Sequence, residues 1–372
     1  MFFWETIGGI SLAAWIYLLA GRGGFWRIRA GREPTPGGSS AAVAVVVPAR
    51  DEEAVIGKAI QSLIAQDYPG RFHIFLVDDH STDNTVSAAG AHERLTVLRA
   101  GPRPLGWTGK LWAVSEGLER ARQFEPGYVL LTDADIVHPR DSVSHLVARA
   151  EAAHLDLVSW MVKLQCRTLA ERALIPAFVF FFFKLYPPSW IASPRHKAAG
   201  AAGGCMLVRS SALARIGGIA SIRGELIDDC ALARAIKPGG GIWLGVTPDV
   251  RSIRDYSSFA EIGRMISRGA FTQLRHSVLL LAGTLAGMAL LYLAPPLLLL
   301  TRDATAALLG LGAWILMTIA YVPVLRFYGR SPAWAPSLPL IALFYMGATL
   351  DSARRYWTGA GGMWKGRVQD LN

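Results

Sequence analysis

Apolar residues in this chain form two kinds of run. Near both ends they are long and nearly unbroken. Through the middle they are short and alternate with helically spaced positions. Phe2 to Ala20 is apolar apart from Glu5, which is long enough for a membrane-crossing helix. Arg22, Arg27, Arg29 and Arg32 follow it. A cleaved signal peptide carries its positive charge before the apolar stretch. The order here predicts an uncleaved membrane helix over 1–21 whose C-terminal end faces the cytoplasm. Residues 22–40, ending in "GREPTPGGSS", read as a flexible linker. Ser277 to Leu300 and Ala304 to Leu325 are two further apolar runs joined by Arg302 and Asp303. They predict a helical hairpin over 277–325, with Arg326 and Arg330 back on the cytoplasmic side. A last run, 331–350, carries Pro332, Pro336 and Pro339. A full span there would put Arg354, Arg355, Lys365 and Arg367 outside, against the positive-inside bias. A bent, re-entrant or interfacial segment keeps the basic tail, 351–372, inside and is the reading favoured.

The middle, 41–276, has the patterning of a soluble domain. "VAVVVP" (Val43–Pro48), "HIFLVDD" (His73–Asp79), "LTVLRA" and "YVLLTD" read as four strands. Between them, Glu52 to Gln66 places Ala54, Ile56, Ile60, Leu63 and Ile64 at helical spacing, and Gly109 to Phe124 reads as another helix. "STDNT" is a turn that caps a further helix. Strands alternating with helices predict an α/β fold with a mostly parallel, doubly wound sheet. Ligands of such sheets sit beyond the carboxyl ends of the strands, where the strand order reverses. The strand ends here are "PARDEE", "DDHSTD" and "DADI", and each is acidic. One more segment, "LIPAFVFFFFKLYPPSW" (Leu174–Trp190), is too short and Pro-bounded to span. Residues 171–190 are expected to lie in the membrane interface and open a path for a lipid.

Composition narrows the partners. The chain has 372 residues, 52% hydrophobic and 18% charged, with a net charge of +10. A positive balance suits nucleic acid, an anionic membrane surface or a phosphorylated substrate. No dense Lys/Arg run interleaved with aromatics is present, so nucleic acid is discounted. The basic charge borders apolar segments, as at a membrane surface. Cys166, Cys205 and Cys230 are odd in number and widely spaced. They show neither a disulfide framework nor a zinc motif.

Asp133 and Asp135 form a D-x-D at the end of an apolar strand. Two like charges there make sense around a hard divalent cation, Mg²⁺ or Mn²⁺, that takes its other ligands from water and phosphates. Asp79 reads either as a turn residue bonding its own backbone or as an acceptor for a nucleobase or ribose edge, and Asp83 as a turn or cap residue. Lys110, in "GWTGKLWA", would be a point charge on a phosphate; as a solvated helix-start lysine it would oppose the helix dipole. Asp228 and Asp229, in "GELIDDCALARAIK", are either helix-start capping residues or a site for a general base. Arg264, Arg268 and Arg275 would neutralise a leaving diphosphate or face lipid headgroups. "PGGG" (Pro238–Gly241) lacks the lysine and spacing of a P-loop and is a turn.

The acidic strand ends and the helix-start "DD" occur in the order seen in family 2 glycosyltransferases with the GT-A fold, which this chain resembles. "GWTGKLWA", "GGCMLVRSSAL", "RGAFTQLRHS" and "RYWTGAGGMWKGR" look like the hopanoid-associated branch, itself similar to ceramide glucosyltransferases. The resemblance implies that Pro48, Arg50 and Glu52 line the nucleotide pocket with Asp79 on the base. Asp133 would lie near the ribose or diphosphate, and Asp135 would hold the metal. Asp229 would be the catalytic base. Gly203, Gly204 and Asp228 would face the acceptor or the donor sugar. Many relatives carry Q-x-x-R-W before the membrane hairpin. Here "TQLRH" keeps Arg275, a candidate donor-binding residue, but has Thr272 for Gln and His276 for Trp. The missing Trp argues against a growing polysaccharide and for transfer of one sugar to a lipid alcohol.

The expectation is therefore an inverting glycosyltransferase of a bacterial inner membrane with its catalytic domain in the cytoplasm. It would pass one sugar from a nucleotide-sugar, UDP-linked, to a lipid hydroxyl, a hopanoid or another polyisoprenoid or sphingoid lipid. The rivals are a processive polysaccharide synthase, which needs more spanning helices, and a non-catalytic nucleotide-binding scaffold, which needs none of the acids.

Overall fold

The computed structural model describes residues 2–28, 38–359 and 361. Residues 29–37 of the expected linker, with Arg29 and Arg32, and the end of the basic tail, with Lys365 and Arg367, lie outside the described residues. The chain divides into two compact units. One contains 1–29, 166–189 and 256–362; the other contains 30–165, 190–255 and 363–372. The sequence places the domain boundary at 276, whereas residues 256–276 pack with the helices of the first unit.

The second unit is built on one eight-stranded sheet. Its strands are β1 (Val43–Ala49), β2 (Phe72–Asp78), β3 (Leu95–Arg99), β4 (Tyr128–Thr132), β5 (Ile136–Val137), β6 (Leu155–Lys163), β7 (Cys205–Arg209) and β8 (Gly241–Ser252). The order is β3-β2-β1-β4-β7-β6-β8-β5. β1 pairs in parallel with β2 and β4, β2 with β3, and β6 with β8, while β7 runs antiparallel to β4 and β6, and β5 to β8. The four strands read from the sequence are thus the parallel half of a mixed sheet. Every residue of β1 is buried, as expected for a central strand covered on both faces. The helix Glu53–Ile64 turns Ile56, Ala59, Ile60 and Leu63 inward, the spacing of one apolar face. The helix Gly109–Ala121 lies so close to the sheet that a Cβ on Gly117 would come within 2.5 Å of Val46 Cγ1. Strand order reverses between β1 and β4. The carboxyl ends of β1, β2 and β4 therefore open onto one crevice.

The first unit is helical. Among the described residues, five helical segments are long and apolar enough to cross a membrane: Phe2–Gly21, Leu169–Ala192, Val278–Leu298, Ala304–Phe327 and Pro332–Trp357. Two of these differ in extent from the segments read in the sequence. The segment expected to be interfacial begins earlier, at Leu169. Thr168 caps it in a capping box with Glu171, and Pro176 lies inside the helix Leu169–Leu185. The four consecutive Phe residues, about 100° apart on a helix, spread around the axis rather than loading one face. In the last segment the prolines do not bend a re-entrant loop. Pro332 and Pro336 lie in a 3₁₀ turn, and Pro339 opens the helix Leu338–Trp357, where a missing N–H leaves no bond unmade. In the third segment a π turn, Ala289–Leu293, precedes Pro295 and Pro296. The carbonyls loosened there are not left bare. Ser11 Oγ donates to Leu290 O at 3.0 Å and Trp15 Nε1 to Leu291 O at 2.8 Å, as an apolar surrounding requires.

Candidate active site

The crevice is assembled from strand ends and the starts of two helices, all in the sheet unit. After β1 the chain makes a tight turn, with Asp51 at φ +50°. Arg50 Nη1 donates to the Asp79 carbonyl at 2.6 Å and approaches Asp79 Oδ2 at 3.4 Å. Both side chains are buried, so guanidinium and carboxylate offset each other's desolvation. Asp83 accepts from Glu53 N at 3.1 Å and from Thr85 N at 3.0 Å. It ties the β2 turn to the helix after β1.

At the end of β4, Asp133 and Asp135 point to different partners. Lys110 Nζ lies 3.0 Å from Asp133 Oδ1 and 3.0 Å from Asp228 Oδ2. Burial disfavours the ammonium, but the two carboxylates outweigh it and raise the Lys110 pKa. The unfavourable helix-start position of this lysine is thus compensated by acids far away in sequence. Burial raises the pKa of Asp133; Lys110 opposes this, and Asp135 and Asp228 add to it. Asp135 Oδ2 accepts from Ser252 Oγ at 2.6 Å and lies 3.3 Å from Arg254 Nε. Arg254 Nη2 also donates to both Glu52 oxygens, at 2.6 and 2.7 Å. It thereby ties the β1 end to the β4 end.

Asp228 and Asp229 open the helix Asp228–Ile236. Asp229 Oδ1 accepts from Cys230 N at 2.7 Å, and its Oδ2 accepts from Gly203 N at 2.9 Å. The helix-start role and a place in the crevice therefore coexist. Burial, then repulsion from Asp228, push the Asp229 carboxyl up to about 6, against Lys110 and the two N–H donors. At Gly203 a Cβ would stand 3.4 Å from Asp229 Oδ2 and 3.5 Å from Lys110 Nζ, and would crowd the crevice. Gly204 packs under β6, where a Cβ would meet Val162 at 3.0 Å. Its carbonyl accepts from Thr132 Oγ1 at 2.8 Å. Buried His138 contacts that hydroxyl at 3.0 Å, and burial pushes its pKa down to about 3. It is a neutral brace for β4.

Pro48, Lys110, Asp133, Gly203 and Asp228 line one cleft, walled by Ile219 and Ile222. Asp79, Asp135 and Asp229 are not among its lining residues; Asp229 adjoins it through its bond to Gly203, while Asp79 and Asp135 are held by Arg50 and Arg254, which do not line it either. Arg275 belongs to the helical unit, with φ +52°, and is not among the residues that the sheet unit gathers. His276 stacks on Tyr356 at 4.0 Å. Arg264 lies on the helix Phe259–Ser267 and Arg268 caps its end; Arg275 lies beyond that helix. Arg254 and Ser252 escaped the sequence reading. Ser252 ends β8 and Arg254 follows it, and that strand's own pattern does not announce an acidic partner more than a hundred positions earlier.

The acids fit a divalent ion of a particular kind. Among the described residues, no group of three His, Cys, Asp or Glu side chains could hold a metal. Asp135 Oδ2 is engaged by Ser252 and Arg254, and Asp133 Oδ1 by Lys110. That donor set suits an ion that completes its shell with phosphates and water, not one held in an all-protein cage.

A mixed α/β sheet with acidic tips at its switch point defines the GT-A class of fold. Residues 44–217, a little under half of the chain, match the family model described as Glycosyl transferase family 2. Among solved structures, the mannosyltransferase PcManGT from Pyrobaculum calidifontis, in complex with GDP-Man and Mn²⁺, is similar with a TM-score of 0.60 at 19% identity. That match covers 94% of this chain and 98% of the other and speaks to the fold. Among curated proteins, the beta-monoglucosyldiacylglycerol synthase of Synechocystis sp. is 38% identical over 110 residues, and that of Nostoc sp. 32% over 115. The aligned stretches are 28% and 30% of this chain but only 22% and 24% of those relatives. They span about a quarter or less of the relatives' length.

Proposed function

We propose that this protein is a membrane glycosyltransferase that moves one sugar from a nucleotide-sugar, UDP-linked, to a lipid hydroxyl with inversion at the anomeric carbon. The observation that carries this reading is Asp229. It is a buried carboxylate with both oxygens fixed by backbone N–H groups, raised to about 6, and coupled through Asp228 and Lys110 to the strand-end acids. A base with that pKa is ionised at neutral pH yet still basic enough to accept a proton from a hydroxyl in the transition state.

In this reading the nucleotide lies over β1 and β2, with Asp79 toward the base and Pro48, Arg50 and Glu52 along the pocket. Lys110 and Arg254 face the diphosphate and offset the charge that develops on it. Gly203, Gly204 and Asp228 leave room for the sugar. The acceptor oxygen attacks the anomeric carbon while its proton passes to Asp229, and the bond to the diphosphate breaks on the opposite side. Asp135, with Asp133 beside it, would hold Mg²⁺ or Mn²⁺, which when bound supplies Lewis-acid stabilisation to the departing diphosphate. The lipid acceptor is supported by the names of the curated relatives, which add diacylglycerol to the hopanoid, polyisoprenoid and sphingoid candidates, and by the five apolar helices. Arg275 remains a candidate donor-binding residue on the resemblance of "TQLRH" alone. With the catalytic unit in the cytoplasm, soluble donor and membrane acceptor would both be within reach.

The test is mass spectrometry of lipids after incubating the purified full-length protein with a mixed nucleotide-sugar pool, a membrane lipid extract and Mg²⁺ or Mn²⁺. Lipids carrying one hexose are expected from the wild type and not from Asp229→Asn. Long polysaccharide products, or equal yield from the variant, would overturn the reading.

A further inference from the structure

The end of β8 holds Asp135 by three contacts. Ser252 Oγ donates to Asp135 Oδ2 at 2.6 Å. Ile253 N donates to the Asp135 carbonyl at 2.9 Å. Arg254 Nε stands 3.3 Å from the same Oδ2. The guanidinium is itself fixed from the β1 side. Arg254 Nη2 donates to both Glu52 oxygens, at 2.6 and 2.7 Å, and Arg254 N donates to Ser252 Oγ at 3.3 Å. Asp135 and Glu52 are both buried, so solvent screens these charges less than it would at the surface. A planar fork held at several points keeps its charge in one place, where a lone ammonium would swing.

A fixed positive charge beside a carboxylate acts in opposite senses on two ligands. It repels a divalent cation that shares the carboxylate, and it attracts the phosphates of a nucleotide. Asp133 carries a similar partner, with Lys110 Nζ 3.0 Å from its Oδ1. Among the described residues, no group of three His, Cys, Asp or Glu side chains could hold a metal, so a bare ion gains few protein ligands to offset the repulsion. A diphosphate supplies both the further oxygens that a hard cation takes and the negative charge that Arg254 favours.

We propose that Arg254 is a positioning residue that holds Asp135 and Glu52 together and keeps the affinity of Asp135 for a bare divalent ion low, so that the ion enters with the diphosphate. The proposal rests on the sugar-transfer reading, because it takes the crevice to bind a nucleotide diphosphate and an ion.

The experiment measures two affinities of the purified full-length protein in detergent. Mn²⁺ binding without nucleotide is read from the free-ion signal in electron paramagnetic resonance, and UDP binding without metal by calorimetry. Arg254→Met is expected to tighten Mn²⁺ about tenfold and to weaken UDP about tenfold, the scale of one neighbouring unit charge at a partly solvated site. A merely loosened pocket weakens both, so the opposite signs separate charge from structure. Arg254→Lys keeps the charge and is expected to stay within about threefold of the wild type for both ligands. A thermal melt identifies a variant that fails to fold; Arg254→Gln, which keeps an N–H donor for Glu52, then carries the test with the same expectations. Unchanged or weaker Mn²⁺ binding in the folded charge-removing variant, or an equal gain in Arg254→Lys, would overturn the proposal and leave the sugar-transfer reading standing. A wild type that binds no UDP even with Mn²⁺ would overturn that reading and this proposal with it.

Discussion

Two lysines show how the two units treat charge. In the sheet unit Lys110 lies between Asp133 and Asp228, 3.0 Å from each. In the helical unit Lys184 has a phenol oxygen and two ring faces. The sheet unit is close to neutral in total, so its buried charges are matched by partners from distant strands. The helical unit is strongly positive, with fourteen Lys and Arg against five Asp and Glu. A buried cation with two carboxylates is part of a charged network; one with a phenol oxygen and ring faces is solvated by dipoles and quadrupoles alone.

The largest effect that would sharpen the comparison is on the reacting group of the sheet unit. Asp229→Asn is expected to lower turnover about 10³-fold, the scale of a lost general base, while nucleotide-sugar binding measured by calorimetry stays within about twofold. Next comes the network around Lys110. Lys110→Met leaves Asp133 and Asp228 without their shared cation. Breaking a buried pair costs about 3–5 kcal/mol, reduced here to about 2 kcal/mol because Asp133 is partly solvated. Chemical denaturation of the purified protein would read it.

A smaller effect concerns pH. The Asp229 pKa is raised, so the carboxyl is protonated and inactive below about 6. Turnover should climb about tenfold per unit up to that value and level off above it. The sign for stability is opposite. The protonated form is favoured by the fold, so this group's contribution is full below the ordinary carboxylate value and is lost as pH rises through about 6. A flat pH–rate profile between 5 and 7 would remove Asp229 as the base. The smallest effect is expected at the other lysine. Lys184→Met exchanges an unneutralised ammonium for an apolar side chain of similar length, and should change stability in detergent by less than about 1 kcal/mol or raise it. A loss as large as that of Lys110→Met would break the contrast between the units.

Local pattern carried much of this. The β-branched runs of β1, β2 and β4 and the alternating helices were readable because burial on both faces leaves a continuous apolar signature. Asp79, Asp133 and Asp135 were readable as strand-end acids for the same reason. β6, β7 and β8 were not. They join the sheet through antiparallel and crossed pairings, and their runs are bounded by Gly and by charged residues such as Asp156 and Arg209, which pair with each other. The helix from Leu169 was underestimated because its first turn is polar and capped, so the apolar run begins five residues too late.

The sequence by itself determined the parallel strands, the helices between them and the long apolar runs, and that acids stand at strand ends, because those properties follow from spacing over a few residues. It could not determine that Arg254 reaches Glu52 and Asp135, that Lys110 bridges Asp133 and Asp228, or that Lys184 meets no acid. Those are contacts between positions tens to hundreds of residues apart. Only the order of strands in the sheet and the packing of the helices bring such positions within the few ångströms over which charges pair.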